Sequence, residues 1–293
     1  MATPRVLLGV DTLCWHTRLE AGAVGLQDIV DTARRLRCDY VQVNLHHLRK
    51  TGIAGVERLR DDAGGMPLLA SGDFLGAARS GDSVDAGVDR VRRWLESAVA
   101  MGSPILRVAS GFYRSELAGR PDLIRGEQTF VTDVLDRTAD EALAVGVQLL
   151  LENHSDFSIA EYHAIVNAVG VERTGVFLDM INAVAELADP VRVVEQLAPL
   201  SPAGHVKDYI FRSIQQPDGY HRRGFEVLYR YPGEGVAPLS QLVAALLRGV
   251  EGREFHLAIE GLDNSAEIDD QEARLAMSLT CLRRLTEEAG QTT

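Results

Sequence analysis

The 293-residue sequence predicts an α/β fold, a single (β/α)8 barrel spanning residues 1–293. Three observations lead there. Short apolar runs alternate with stretches of helical periodicity, the pattern of a parallel sheet covered by helices. The runs are apolar almost throughout, as strands buried on both faces are. Four of them end at or near a carboxylate or an imidazole, on the edge where barrels of this kind carry their active sites. No low-complexity linker, short repeat or composition shift marks a domain boundary.

Taken in order, Val6–Val10 reads as the first strand and Leu26–Leu36 as an amphipathic helix with Leu26, Ile29, Val30, Ala33 and Leu36 on one face. Tyr40–Leu45 is the second strand, followed by a helix around Val56–Ala63; Pro67–Ser71 is the third, followed by a long helix from Val84 to Met101. Ile105–Ala109 is the fourth strand, Glu127–Ala144 the next helix, and Val147–Leu151 the fifth strand, ending in Glu152-Asn153-His154. Ser158 and Glu161 form a capping box that opens a helix, since each side chain reaches an orphan amide of the other residue. Gly175–Leu178 ends in Asp179, and Asp189-Pro190 opens a helix with Asp as N-cap and Pro at the first helical position. The seventh strand runs through Ala203-Gly204 into His205-Val206-Lys207-Asp208. Tyr209–Gly235 then breaks the rhythm as a long polar, aromatic and arginine-rich segment without periodicity, the length of a functional loop. A helix over Leu239–Val250, a strand His256–Ile259 ending at Glu260, a helix over Glu267–Leu285 and a frayed Gln291–Thr293 tail complete the chain.

A net charge of −12 repels a phosphate backbone on average and argues against a nucleic-acid partner. Cys14, Cys38 and Cys281 are widely spaced and contain no C-x-x-C, which suits reduced thiols in a cytoplasm. No signal-like segment opens the chain and no apolar stretch is long enough to span a bilayer, so a soluble cytoplasmic protein without a membrane partner is expected.

Strand ends converge in a barrel, so Glu152, Asp179, His205 and Glu260 can meet around one ion. Any one of them alone reads equally as an ion-paired carboxylate, a helix cap or a core histidine. Four at equivalent positions point to a metal. Three carboxylates and one imidazole suit a single divalent cation, with Mn2+ expected first and Mg2+, Co2+ or Zn2+ as alternatives.

Leu151-Glu152-Asn153-His154, Leu178-Asp179-Met180-Ile181-Asn182, His205-Val206-Lys207-Asp208 and Ile259-Glu260-Gly261 resemble the signatures of the xylose isomerase-like sugar isomerase/epimerase superfamily. The H-x-K-D segment and the Pro232-Gly233-Glu234-Gly235 turn resemble habits of its isomerase/epimerase branch. The resemblance implies a TIM barrel with one divalent cation held by Glu152, Asp179, His205 and Glu260. It implies that Glu152 and Glu260 act as an acid/base pair, removing a proton α to a carbonyl and returning it through a metal-stabilised enediolate. The substrate would be a keto-sugar or cyclitol, and a dimer or tetramer is a family-level expectation.

Substrate contacts are expected from His154, two residues beyond Glu152 and on the same face of an extended strand, and from Lys207, which alternates with His205. Trp15 is a candidate apolar wall, His46 (with His47) ends the second strand, Ser71 and Asp73 stand at and after the end of strand three, and Arg107 and Ser110 lie around the end of strand four. Arg212 lies near the place where the epimerase branch carries a substrate-binding arginine. Several branches carry D-x-x-H after the sixth strand; here Asn182 takes the histidine's place as a further substrate contact, which leaves a trinuclear endonuclease cluster incomplete. The aromatics Tyr209, Phe211, Tyr220, Phe225, Tyr229 and Tyr231 suit a substrate lid or subunit contact. The Leu262-Asp263-Asn264 stretch disfavours a phosphate cradle after the last strand, although Arg212, Arg222 or Arg223 could serve a phosphate instead. An inosose-type dehydratase or an oxidised-glycoside-cleaving subunit is the alternative reading, followed by an AP endonuclease or a non-catalytic barrel.

Overall fold

A computed structural model describes residues 4–215, 222–261 and 270–291. The strands are β1 Arg5–Asp11, β2 Tyr40–Asn44, β3 Leu68–Phe74, β4 Ile105–Ala109, β5 Gln148–Glu152, β6 Thr174–Asp179, β7 Ala203–Val206, β8 Asp208–Gln215, β9 Arg222–Arg230 and β10 Glu254–Ile259. Eight of them close a parallel barrel in the order β1-β10-β7-β6-β5-β4-β3-β2, as expected, and β8 and β9 form a separate antiparallel pair. The described helices are α1 His16–Glu20, α2 Leu26–Arg35, α3 Gly52–Asp62, α4 Val84–Met101, α5 Pro121–Ala144, α6 Ile159–Val169, α7 Pro190–Leu197, α8 Leu239–Val250 and α9 Gln271–Gly290. No described helix is long and apolar enough to cross a membrane.

Side chains alternate inward and outward along each strand, so each strand feeds the barrel interior at every second residue. One interior layer takes Leu7, Tyr40, Leu69, Ile105, Leu150 and Phe177, closed by the small Ala203 and Ala258. Gly9 lies beside it because a Cβ there would stand 2.6 Å from the Tyr40 ring. Two residues further along the strands the layer turns polar, with Gln42, Ser71, Arg107, Glu152, Asp179 and His205 all buried, joined by Asp11, the register partner of Gln42. Apolar residues plug the bottom of the barrel and chemistry occupies its top.

The caps behave as their sequence implies. Ser158 and Glu161 form the capping box of α6, Asp189 accepts from the Val191 amide, and Ser83 and the left-handed Gly102 bound α4 where its pattern predicts. Helix α5 starts at Pro121, about two turns before the expected Glu127, because proline stands at the N-terminal position that lacks an amide requirement. The segment expected as an aperiodic loop, Tyr209–Gly235, is largely the β8–β9 hairpin, with Asp208 opposite Arg230 and Phe211 opposite Val227. Tyr220, Leu262-Asp263-Asn264 and the beginning of the expected last helix lie outside the described residues, as do the side chains of Arg222 and Arg223.

Candidate metal centre and the cavity above it

Glu152 ends β5, Asp179 ends β6, His205 lies in β7 and Glu260 follows β10, so the four come from consecutive staves of the barrel. Register pairs Asp179 directly with His205, and Ile259 with Val206. One donor atom from each of the four lies within 4.8 Å of the others. The imidazole Nδ1 of His205 stands 3.0 Å from Glu152 Oε1, 3.4 Å from Glu260 Oε1 and 3.8 Å from Asp179 Oδ2.

A shell of contacts fixes each donor. Asp179 Oδ1 accepts from the amides of Ile181 and Asn182, at 2.8 and 2.7 Å, which turns Oδ2 towards the cluster. Asn153 clamps the ends of β5 and β6, accepting from the Asp179 amide at 2.8 Å and donating to its carbonyl at 2.7 Å. Tyr162 hydroxyl packs on the Glu152 carbonyl at 2.9 Å and on the buried Asp156. On the far side of His205, Nε2 meets the Gln42 side-chain amide at 2.7 Å and Asp11 Oδ2 at 3.4 Å. Gln42 Oε1 has no hydrogen-bond partner, so the amide orientation that gives His205 Nε2–H an acceptor satisfies both groups. That arrangement reserves Nδ1 for the carboxylate side, where it would ligate a cation once its proton is lost.

The electrostatics are those of a carboxylate cluster seeking positive charge. Lys207 Nζ is 2.7 Å from Asp179 Oδ2 and also contacts Glu260, while Arg107 contacts Glu152 and donates to the Gly72 carbonyl at 2.8 Å. Burial alone would raise both glutamates, yet Arg107 holds Glu152 far below the usual carboxylate range and His205 with Lys207 holds Glu260 at about 2. Asp179 goes the other way, raised by burial and by the negative charges of Glu260 and Glu152, against the pull of Lys207. Burial disfavours the charged imidazole of His205, but Glu260, Asp11 and Glu152 push it up to about 10. The three carboxylates are thus balanced by Arg107, Lys207 and a proton on His205. Asp179 Oδ2 still lacks a well-directed hydrogen bond. A buried oxygen aimed at the cluster, three carboxylates and an imidazole lone pair fit a divalent cation.

Above the cluster lies a cavity of about 540 Å3. Of the expected substrate contacts, Arg107, His154, Asn182 and Lys207 line it, as does Asp73. His154 stands between Phe74 and Tyr113, with ring centroids 5.2 and 5.3 Å away. Asn182 lines the cavity while donating to the Asn153 carbonyl at 3.2 Å.

Three expectations are corrected. Trp15 is buried in the hydrophobic core and does not line the cavity, because the chain enters a 3-10 turn over Thr12–Trp15 that rolls the indole inward. His46 lies outside the lining, 3.5 Å from Glu20, because a 3-10 turn capped by Asn44 follows β2 and turns the imidazole away. Arg212 is 63 % exposed and pairs across the hairpin with Glu226, away from the lining. Ser71 is buried within the polar layer, and Ser110 donates to Asp156.

Other contributors escaped the sequence reading. Asp11 and Gln42 support His205, and Tyr113, Arg230, Gln271 and Arg274 line the cavity. For Asp11 a signal existed, since Val6–Val10 ends in a carboxylate just as the fifth strand does. Asp208 carries the H-x-K-D segment into the Pro232–Gly235 turn: its Oδ2 accepts from Gly233 at 3.1 Å and Gly235 at 2.9 Å, and its Oδ1 from Ala237 at 2.8 Å and Tyr209 at 2.8 Å. Gly235 is required there, since a Cβ would stand 2.3 Å from Asp208 Oδ1.

A barrel with these donors at its C-terminal rim defines a class, and residues 30–285 match the family model described as xylose isomerase-like TIM barrel. The chain belongs to that family. Among solved structures it is similar to a D-psicose 3-epimerase determined in the presence of D-fructose, with a TM-score of 0.71, 18% identity and coverage of 96% of this chain and 99% of that one. The IolI protein with a bound zinc atom gives a TM-score of 0.67, 15% identity and coverage of 98% of each chain. The probable 3-DHS dehydratase AsbF from Bacillus anthracis gives 0.64, 15% identity, and coverage of 94% of this chain and 98% of that one. At these identities the likeness is one of fold. No curated protein sequence matches this chain.

Proposed function

We propose that this protein is a divalent-metal-dependent isomerase or epimerase of a sugar or cyclitol. The observation that carries the reading is the convergence of Glu152, Asp179, His205 and Glu260 beneath a cavity of sugar size. The epimerase and IolI neighbours support it as analogy. Three oxygens and one nitrogen accept Mn2+, Mg2+, Co2+ or Zn2+ alike, so the donor set gives no ground for placing Mn2+ first.

Bound there, the cation supplies polarisation of a substrate carbonyl. The chain supplies the rest. Glu152 is committed to Arg107 through Oε2 and Glu260 to Lys207 through Oε2, which leaves the Oε1 atoms of both turned to the same point. Of the two, Glu260 lines the cavity and is 14 % exposed against 0 % for Glu152, so Glu260 is the carboxylate that meets substrate first. Ligation through Nδ1 requires His205 to lose its proton. That proton's charge beside Glu260 is then replaced by the cation's, and the Glu260 carboxylate stays ionised and able to accept a proton from a carbon acidified by the polarised carbonyl. Epimerisation then requires Glu152, whose Oε1 faces the same His205 Nδ1, to enter the cycle protonated and to give that proton to the opposite face of the substrate carbon as Glu260 takes one up.

The Asn182 amide, in the place of a further histidine and already donating to Asn153, gives no support to the endonuclease reading. The test is metal content after gentle purification, with Glu152→Gln and Asp179→Asn beside the parent chain. About one ion per chain, weakened by both changes, supports the site. Hydrogen exchange between solvent and a panel of ketoses and inososes then tests the proton transfer, and product mass separates isomerisation from loss of water. A chain that binds no divalent ion overturns the reading.

A further inference from the structure

We infer that the substrate carries a carboxylate and that Arg230 receives it. The inference rests on the reading above and narrows it from sugars and cyclitols at large to sugar acids or carboxylated cyclitols.

The cavity runs against the charge of the molecule around it. In a chain of net charge −12, its lining includes Arg107, Lys207, Arg230 and Arg274 against the carboxylates of Asp73 and Glu260. A concave surface that gathers one sign of charge concentrates ligands of the other. Three of the four cations are already spoken for. Arg107 is held by Glu152, Lys207 by Asp179 and Glu260, and Arg274 by Glu234 in a two-pronged pair at 2.7 and 2.6 Å.

Arg230 is different. Among the described residues its guanidinium has one partner, the carbonyl of its own neighbour Tyr229 at 2.8 Å, and no carboxylate within ion-pair distance. A guanidinium offers five donors, so most are unused. The position is not a loose surface one, because Arg230 is partly buried at the end of β9, opposite Asp208 in the hairpin register. Asp208 is the obvious partner by register, but its two oxygens are spent on the amides of Tyr209, Gly233, Gly235 and Ala237. The fold therefore places an arginine on the wall of a sugar-sized cavity, and among the described residues no carboxylate neutralises it. A neutral ketose leaves this cation uncompensated, whereas a carboxylate presents two oxygens to the guanidinium fork. Tyr229, on the same strand, and Tyr231 just past its end supply flat walls for the carbon skeleton.

The experiment is calorimetric titration of the Mg2+-loaded full-length protein with quinate, a carboxylated cyclitol, and with uncharged myo-inositol. Quinate is expected to bind about tenfold tighter or better, from charge-assisted hydrogen bonding. Arg230→Gln is expected to abolish that preference without weakening myo-inositol, and Arg230→Lys, which keeps the charge and loses the fork, to retain part of it. No preference in the parent chain, whether both probes bind or neither does, overturns the inference; so does a preference that survives Arg230→Gln. Tighter, Arg230-dependent binding of inositol 1-phosphate than of quinate also overturns it, in favour of a phosphoester. Metal analysis of the same samples separates the two readings. An Arg230-dependent preference in a chain that holds no ion refutes the metal centre and keeps the carboxylate site, and an ion without the preference does the reverse.

Discussion

Lys207→Met removes the ammonium between Asp179 and Glu260, 2.7 Å from Asp179 Oδ2, and keeps the length of the side chain. Two carboxylates then remain in a buried cluster with one counter-charge fewer. Removing one partner of a buried pair costs about 3–5 kcal/mol. In a 293-residue chain each kcal/mol moves the melting midpoint by about 2 °C, so in EDTA the variant should melt about 6–10 °C below the parent. A divalent ion at about a hundred times the parent's Kd returns about 2.7 kcal/mol to the parent by mass action. It should return more to the variant, where it replaces the missing ammonium as well as the imidazole proton. Calorimetric melts of both proteins, in EDTA and in excess Mg2+ or Mn2+, provide the four midpoints needed. A gap between variant and parent that is the same with and without the ion would refute the account of Lys207 as counter-charge. So would a variant that melts with the parent in EDTA.

The His205 imidazole gives a pH dependence in the metal-free form alone. Its pKa rises from 6.5 to about 10 on folding, so its contribution is complete below about pH 6.5 and is lost as pH climbs through 10. The EDTA-treated protein should unfold at progressively lower urea concentration between pH 7 and pH 10, and the metal-loaded protein, whose imidazole carries no proton on Nδ1, should not follow it. Asp208→Ala deprives four backbone amides of their acceptor and is expected to cost about 3 kcal/mol, read as a lower urea midpoint, with about one ion per chain still bound. Tyr162→Phe removes the hydroxyl that ties the Glu152 carbonyl to Asp156 and should cost about 1–3 kcal/mol in the same assay.

The barrel was legible because each of its strands must satisfy two buried faces, which forces an apolar run, and because the polar residue that ends the run sits where the barrel opens. The donors Glu152, Asp179, His205 and Glu260 could be read for that reason, and Lys207 and His154 followed by alternation. Helix α4 was readable at both ends because Ser83 and Gly102 are chemical stops. The hairpin was not readable. Tyr209 and Phe211 alternate with Ile210, Arg212 and Ile214, so neither face of β8 is consistently polar, and a two-stranded sheet outside the core imposes no such demand. Trp15 and His46 were misjudged on a different count: each follows a strand end, but a tight turn intervenes and a single 3-10 turn is enough to swing a side chain out of the cavity. Arg230 offered no signal at all, since its meaning lies in the carboxylate that Asp208 does not give it.

His205 belongs to the donor cluster beneath the cavity, and three residues later Asp208 begins the hairpin whose second strand lines it. The hairpin that forms this wall adds no rung to the barrel, whose closure runs from β7 straight to β10. Barrel closure and cavity wall are therefore separate inventions joined by one short stretch of chain. A change in the hairpin alters the cavity wall without disturbing the register of the staves that carry Glu152, Asp179, His205 and Glu260. The outer aromatics Phe211 and Phe225, 50% and 47% exposed, belong to the part that is free to drift.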